Sequence, residues 1–536
     1  MSNTSMDNAI SDDKSGPIET TFAHDEEDSY EMNAPVAKKW QGTVADRQDM
    51  SALGRVQELR RNFRFISILG FGCTLISTWE VIVTTLGIVL TDGGTAGLVW
   101  GYIAVVIGFF MVYMSVAEMA SMAPTSGGQY HWVSEFAPRS CQKYLSFLTG
   151  WLCFTGWQGA IVSISFLAGT IIQGLLVLND ATYNYQRWHG TMLVIAISTF
   201  SILFNTFLAK KLPLVEGLVL VLHVLGLFAI IIPLWVLAPR NNATAVFTEF
   251  ANNGGWSSTG VSVMIGLLTP IVSMLGFDCA VHMSEEVKDA GRTLPRAMMW
   301  SVGLNAVLGF IMVLTLCFTM GDQASILASA TGYPFIQIFF NVTNSYAGTN
   351  AMTAILVITL TSSCISEIAT ASRQLWSFAR DNGVPFSSTV ARVTPGWNIP
   401  LNAVIVSLLV TICLSLINIG STAALNAILS LTTASLLTSY VIIISCVLLK
   451  RIRGQPLPPR RWSLGRYGGI VNTLALCFLA PIYIFSFFPA ATPVTPVTMN
   501  WSVVMYAGMI IFSTVYYLVF GRHSYTPPVT LVRRDI

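Results

Sequence analysis

The chain has 536 residues, of which 53% are hydrophobic and 10% charged, with a formal net charge of +2. Water-soluble globular proteins carry about 25% charged residues, and apolar runs long enough to cross about 30 Å of hydrocarbon recur throughout this sequence. The composition excludes an ordinary soluble domain and predicts an all-α polytopic membrane protein; the short alternating strands of a transmembrane β-barrel are missing.

Residues 1–54 are expected to form a disordered, acidic, cytosolic tail, because residues 1–34 hold nine acidic side chains and one lysine and too little apolar surface to fold. No cleavable leader is read here, and the first span is expected to serve as the insertion signal. Twelve spans are predicted, at 66–89, 97–120, 145–177, 189–209, 212–237, 259–283, 297–320, 350–376, 400–419, 423–449, 468–489 and 500–520. The transporter domain is placed at 55–525, with 526–536 as a cytosolic C-terminal tail. Of the 29 Lys and Arg, all but Arg187 and Arg240 fall on the side that holds both termini. Positive charge is retained in the cytosol, so the termini are expected there.

Span 1 contains "ILGFGCTLISTWEVIV", Ile68–Val83, in which glycines and polar residues interrupt an apolar run. Span 6 contains "SMLGFDCAVH", Ser273–His282, after Pro270. Irregular backbone at membrane depth survives only inside protein or beside a cavity. These two segments open two five-helix halves, about 66–237 and 259–449. Interrupted helices at matching positions point to a solute site with inverted repeats. Freed N–H groups can face a carboxylate, and freed carbonyls a cation.

Glu80 and Asp278 are candidates to face the solute; the competing reading for Asp278 is a structural residue bonded to the broken helix's own amides, and for Glu80 a position closer to one membrane face. A charge at the bilayer centre costs about 2.5–3.5 kcal/mol or more. Trp79 and Phe277 are candidates to pack on an ammonium, or simply to fill the interior. His223 in span 5 is a candidate carrier of a coupling proton, against a helix-to-helix hydrogen bond. On span 8, Thr361, Ser362, Ser363 and Glu367 are coupling candidates, against cross-helix bonding. Glu118 and Glu216 sit near cytosolic ends and read as gate or anchoring residues, and Arg373, Arg380 and Asp381 are gate candidates. Asn242 and Asn341 match the glycosylation acceptor pattern on the outer side, as does Asn3 in the tail.

Nine cysteines lie singly, and six histidines form no close pair, so no metal and no cofactor is expected. No nucleophile elbow or zinc-protease motif argues for an enzyme, and the dispersed basic residues give no nucleic-acid footprint.

"AEMASMAPTSGGQYHW" (117–132), "SEEVKDAGRTLPRAM" (284–298) and "SRQLWSFARDNGVP" (372–385), with "GFGCTLISTWE", resemble segments of amino acid–polyamine–organocation transporters. The pattern is similar to the fungal amino acid/choline branch, which includes choline and γ-aminobutyrate permeases. The resemblance covers about 55–525. It implies a leucine-transporter-like fold with a 5+5 inverted repeat and with helices 1 and 6 broken at the substrate. By position it puts Ile76, Ser77, Thr78 and Trp79 from span 1, and Gly276, Phe277 and Asp278 from span 6, at that site. One departure matters: "LISTW" replaces the glycine-serine-glycine motif of many relatives, which argues against the same carboxylate grip. The acidic residues tilt the expectation towards choline or an amine. The implied function is proton-coupled import of a small amino acid or amine across the plasma membrane; alternatives are a nutrient sensor or a metabolite exporter on the same fold. Fungal permeases also imply ubiquitin attachment on the tail, at Lys14, Lys38 or Lys39.

Overall fold

The computed structural model describes residues 36–420, 424–496 and 498–533. Twelve helices are long and apolar enough to cross a membrane. They are Phe65–Thr84, Gly94–Met122, Gln142–Asn179, Arg187–Phe207, Ala209–Leu237, Thr259–His282, Ala290–Thr319, Tyr346–Arg380, Leu401–Gly420, Leu425–Ile452, Gly465–Phe485 and Ser502–Thr530, and they are called spans 1 to 12. Each overlaps a predicted span. Among the described residues the β structure amounts to two single bridges, Phe63 with Val287 and Asp92 with Asn252. A helix satisfies its own backbone, which is the requirement lipid imposes.

The packing is that of two halves related by exchange. Span 2 packs on span 7, span 3 on span 8, and span 4 on span 9. Span 1 packs on span 5, and correspondingly span 6 on span 10. Span 1 touches span 7, and span 6 touches span 2. Short helices at Gln129–Phe136 and Pro334–Thr343 follow spans 2 and 7 respectively. Replacing each span by the one five later maps these pairings onto one another. Adding an odd number of spans also reverses the membrane face, which is what an inverted repeat does.

Both predicted interruptions are present. Span 1 is helical over Phe65–Ile76, turns at Ser77 with φ 47°, and resumes over Thr78–Thr84. Span 6 is helical over Leu268–Met274, loses its helix at Leu275–Asp278, and ends in a short helix Cys279–His282. Gly276 holds φ 102°, a conformation that glycine adopts without steric penalty.

The expectation of a disordered N-terminal tail is corrected over its last residues. Within the segment 1–54, residues 1–35 lie outside the described residues, but Val44–Ala52 forms a helix with a complete capping box at Thr43 and Asp46. Asp46 is buried, and its two carboxylate oxygens accept the amides of Asp289 and Ala290 at 2.8 and 2.9 Å. The N-terminus of span 7 thus supplies donors that tie this helix down. In the same way 526–533 is not a free tail: the Thr526 amide donates to the Asp381 carbonyl, and the Arg533 amide to the Ala52 carbonyl. Composition over the acidic first residues hid the apolar and capping positions that follow them.

Candidate functional site

The two interruptions face each other. The Thr78 hydroxyl donates to the Ser273 carbonyl at 2.8 Å, and the Ser363 hydroxyl of span 8 donates to the Leu75 carbonyl. Backbone oxygens freed by the breaks are thus taken by hydroxyls, as burial requires. The Tyr113 hydroxyl of span 2 bridges the second gap, accepting the Gly276 amide at 2.8 Å and donating to the Met274 carbonyl at 2.9 Å. Between the breaks lies a cavity of about 60 Å³, lined by Leu75, Ile76, Trp157, Gly276, Glu367 and Thr432 among others. A Cβ on Gly276 would come within 3.1 Å of Ile76 and 3.3 Å of Trp157, so this glycine keeps the cavity open.

Of the residues predicted to meet the solute, Ile76 and Gly276 line the cavity, and so does Glu367 from the coupling set. The others have different surroundings. Phe277 packs edge-on against Tyr113. Trp79 donates its indole N–H to the His223 carbonyl at 3.1 Å, 5.9 Å from the His223 ring. Glu80 accepts from His223 Nδ1 at 2.8 Å; both side chains are buried, and the second nitrogen and second oxygen of this pair have no hydrogen-bond partner. The Ser77 hydroxyl bonds back to the Thr74 carbonyl at 2.7 Å. Ser362 bonds to Ile358 of its own helix and is not brought to the cavity.

Asp278 is completely buried. Gln129 and Tyr440 each donate to one of its oxygens. His282 Nε2 lies 3.7 Å away but is occupied: it accepts the Trp157 indole N–H at 3.1 Å. His282 Nδ1 is 2.9 Å from the Ser126 carbonyl, which can only accept. The ring therefore carries its proton on Nδ1 and is neutral. Trp157 thus links the cavity wall to His282, and His282 sits beside Asp278. Glu216, also buried, accepts from Thr74 of span 1 and Ser366 of span 8, both at 2.6 Å.

The face carrying both termini is closed by ion pairs. Arg380 forms a forked pair with Glu285 at 3.0 and 2.8 Å, and Arg373 binds Glu286 at 2.7 Å. Asp381 binds Arg55 and accepts the Tyr130 hydroxyl at 2.9 Å. Burial pushes the Glu285 carboxyl up, but the Arg380 guanidinium outweighs it and holds the group below its ordinary range. Arg61 crosses the same mouth, donating to the Ser284 and Val287 carbonyls at 2.9 and 2.6 Å. The predicted gate residues Arg373, Arg380 and Asp381 therefore converge. Glu118 does not join them; it anchors the end of span 10 through Arg451 and the segment after it through Arg460 and the Leu464 amide.

On the opposite face a vestibule of about 650 Å³ reaches Tyr185, Arg187 and Tyr333 and shares Leu167 and Leu429 with the cavity. Arg187, an exception to the charge pattern, sits in this mouth. Asn242 and Asn341 are both exposed; Asn242 caps the helix Ala243–Thr248, and Asn341 accepts from Gln337. Sequence reasoning missed Gln129, Trp157 and Tyr440, which come from three different elements. An aromatic or amide in a span is ordinarily packing, and only contact with Asp278 or the cavity distinguishes these.

The family model described as amino acid permease matches residues 63–511. Among the relatives, the amino-acid permease BAT1 of Arabidopsis thaliana is 30% identical, covering 90% of this chain and 96% of that protein. The choline transporter of Saccharomyces cerevisiae is 29% identical, over 89% and 85%. Amino-acid permease 2 of Neurospora crassa is 28% identical, over 90% and 88%. With twelve apolar helices, two matched breaks and this near-complete coverage, the chain is a multi-pass membrane permease, not an enzyme, and belongs to the amino acid permease family.

Proposed function

We propose that the protein is a secondary active transporter that imports a small amino acid or amine, such as choline or γ-aminobutyrate, across the plasma membrane by alternating access. The supporting observation is the cavity between the two broken helices, closed on the basic face and bordered on the other by a vestibule that shares Leu167 and Leu429 with it. With positive charge kept in the cytosol, that arrangement is the outward-facing half of a transport cycle. The solute enters past Leu167 and Leu429 and meets the ends of spans 1 and 6. The Arg380–Glu285 and Arg373–Glu286 pairs then have to part to release it inward.

Coupling is assigned to protons, carried by the buried His223–Glu80 pair. Its two unpartnered atoms can accept a proton without breaking the 2.8 Å bond, and the pair joins span 5 to the Thr78–Thr84 part of span 1. The tail lysines Lys38 and Lys39 are exposed and suit attachment of ubiquitin, whereas Lys14 lies outside the described residues.

Uptake of labelled choline, γ-aminobutyrate and amino acids into proteoliposomes with an acidic exterior tests the reading. Accumulation that collapses with a protonophore and survives sodium removal is expected. Specific binding with no uptake of any solute points to a sensor instead.

A further inference from the structure

We infer that Glu367 is the anionic subsite for the solute, so that the cavity selects small organic ammonium compounds over uncharged ones. This deepens the transport reading above and rests on the same cavity. Glu367 lies one helical turn beyond Ser363, the residue that caps the broken end of span 1. Residues four apart share a helix face, so the carboxylate is aimed at the interruption. Its side chain is 7% exposed, lines the cavity, and has a buried oxygen with no hydrogen-bond partner. The contrast with the other intramembrane carboxylates is direct. Glu80, Glu118, Glu216 and Asp278 each accept from at least one named donor, whereas Glu367 holds none among the described residues. A buried carboxylate without a partner is disfavoured, and a cation arriving in the cavity supplies the missing one.

The rest of the lining fits such a cation and gives no counter-group for an anion. Glu367 is the one ionisable side chain among the described lining residues. The Gly276 amide, which a broken helix would offer to a carboxylate, is already given to Tyr113. Trp157 supplies an aromatic wall for an ammonium. Leu75, Ile76 and Ile164 supply aliphatic surface for its substituents, and Thr432 a hydroxyl.

The test uses the full chain in detergent, with labelled choline as tracer. Unlabelled choline competes against 3,3-dimethyl-1-butanol, its uncharged isostere. The wild type is expected to prefer choline by about thirtyfold or more, the range for a buried charge pair. Glu367→Gln should reduce that preference to about threefold or less, and Glu367→Asp should retain part of it. A wild type that binds neither choline, ethanolamine nor putrescine, or a Glu367→Gln variant with undiminished preference, overturns the inference. Should the glutamine variant fail to fold, the wild-type discrimination and the aspartate variant still decide. Liposome uptake is measured in parallel. Charge-selective binding without uptake defeats the transport reading and leaves the subsite standing; uptake with unaltered binding by Glu367→Gln does the reverse.

Discussion

Asp278 shows what holding a carboxylate in the bilayer requires. Gln129 and Tyr440 donate to its two oxygens, and neutral His282 sits alongside. Removing the carboxylate orphans two buried donors, at about 1–3 kcal/mol each. Asp278→Ala is therefore expected to lower the melting temperature in detergent as well as uptake, the latter at least about tenfold. Normal uptake in that variant removes Asp278 from the mechanism. Gly276 is a second test at this scale: alanine there meets Ile76 and Trp157 at 3.1 and 3.3 Å and strains φ 102°. Gly276→Ala should weaken solute binding about tenfold or more, since overpacking costs about 1–3 kcal/mol, read as a shift in the competition curve. Asp278 and Gly276 were legible in the sequence as oddities in an apolar run. Their partners were not, because Tyr440 is 162 positions from Asp278 in the chain.

The elements around the closed face act as one latch. The segment before span 1, the loop after span 6 and the end of span 8 meet there through Arg61, Glu285 and Arg380. Breaking a buried pair by removing one partner costs about 3–5 kcal/mol, so Arg380→Ala should shift the population towards the inward-open form. Faster labelling of a cysteine placed beneath the pair measures that shift; unchanged labelling removes the pair from the gate. Asp46 and Glu285 also set a pH dependence. Burial raises both, but Arg61 and backbone amides hold Asp46, and Arg380 holds Glu285, below their ordinary 3.8 and 4.5. A depressed carboxylate contributes its full stability above its ordinary value and loses it as pH falls through the folded value. The melting temperature of wild type minus that of Asp46→Asn should thus be positive and flat near neutrality, and should shrink towards zero below about pH 4. A difference that persists in acid contradicts the ion pair. The predicted gate residues converged here because charge near a span end has few places to go. The helix Val44–Ala52 before span 1 was concealed by the acidic composition of the residues preceding it.

At the scale of the whole molecule the two halves are related by an exchange of spans by five. The exchange brings the two interruptions together, and it pairs corresponding spans of the two halves. Alternating access then needs one half to rock against the other. A cysteine pair that staples the segment before span 1 at Arg61 to the loop at Ser284 should arrest uptake and be rescued by reductant. Transport that continues with the staple closed contradicts motion at that mouth.

Apolar run length, the placement of arginine and lysine, and glycines among polar residues depend only on local order along the chain. That is why twelve crossings, a helical class and two broken spans could be read directly from residues. Which carboxylate is free and which is bonded is a different kind of fact. Glu80, Asp278 and Glu367 look alike in sequence, yet one meets a histidine, one an amide and a phenol, and one the cavity between the broken spans. Only the packing of distant helices decides that, because a buried charge is defined by the donors that surround it and not by its neighbours in the chain.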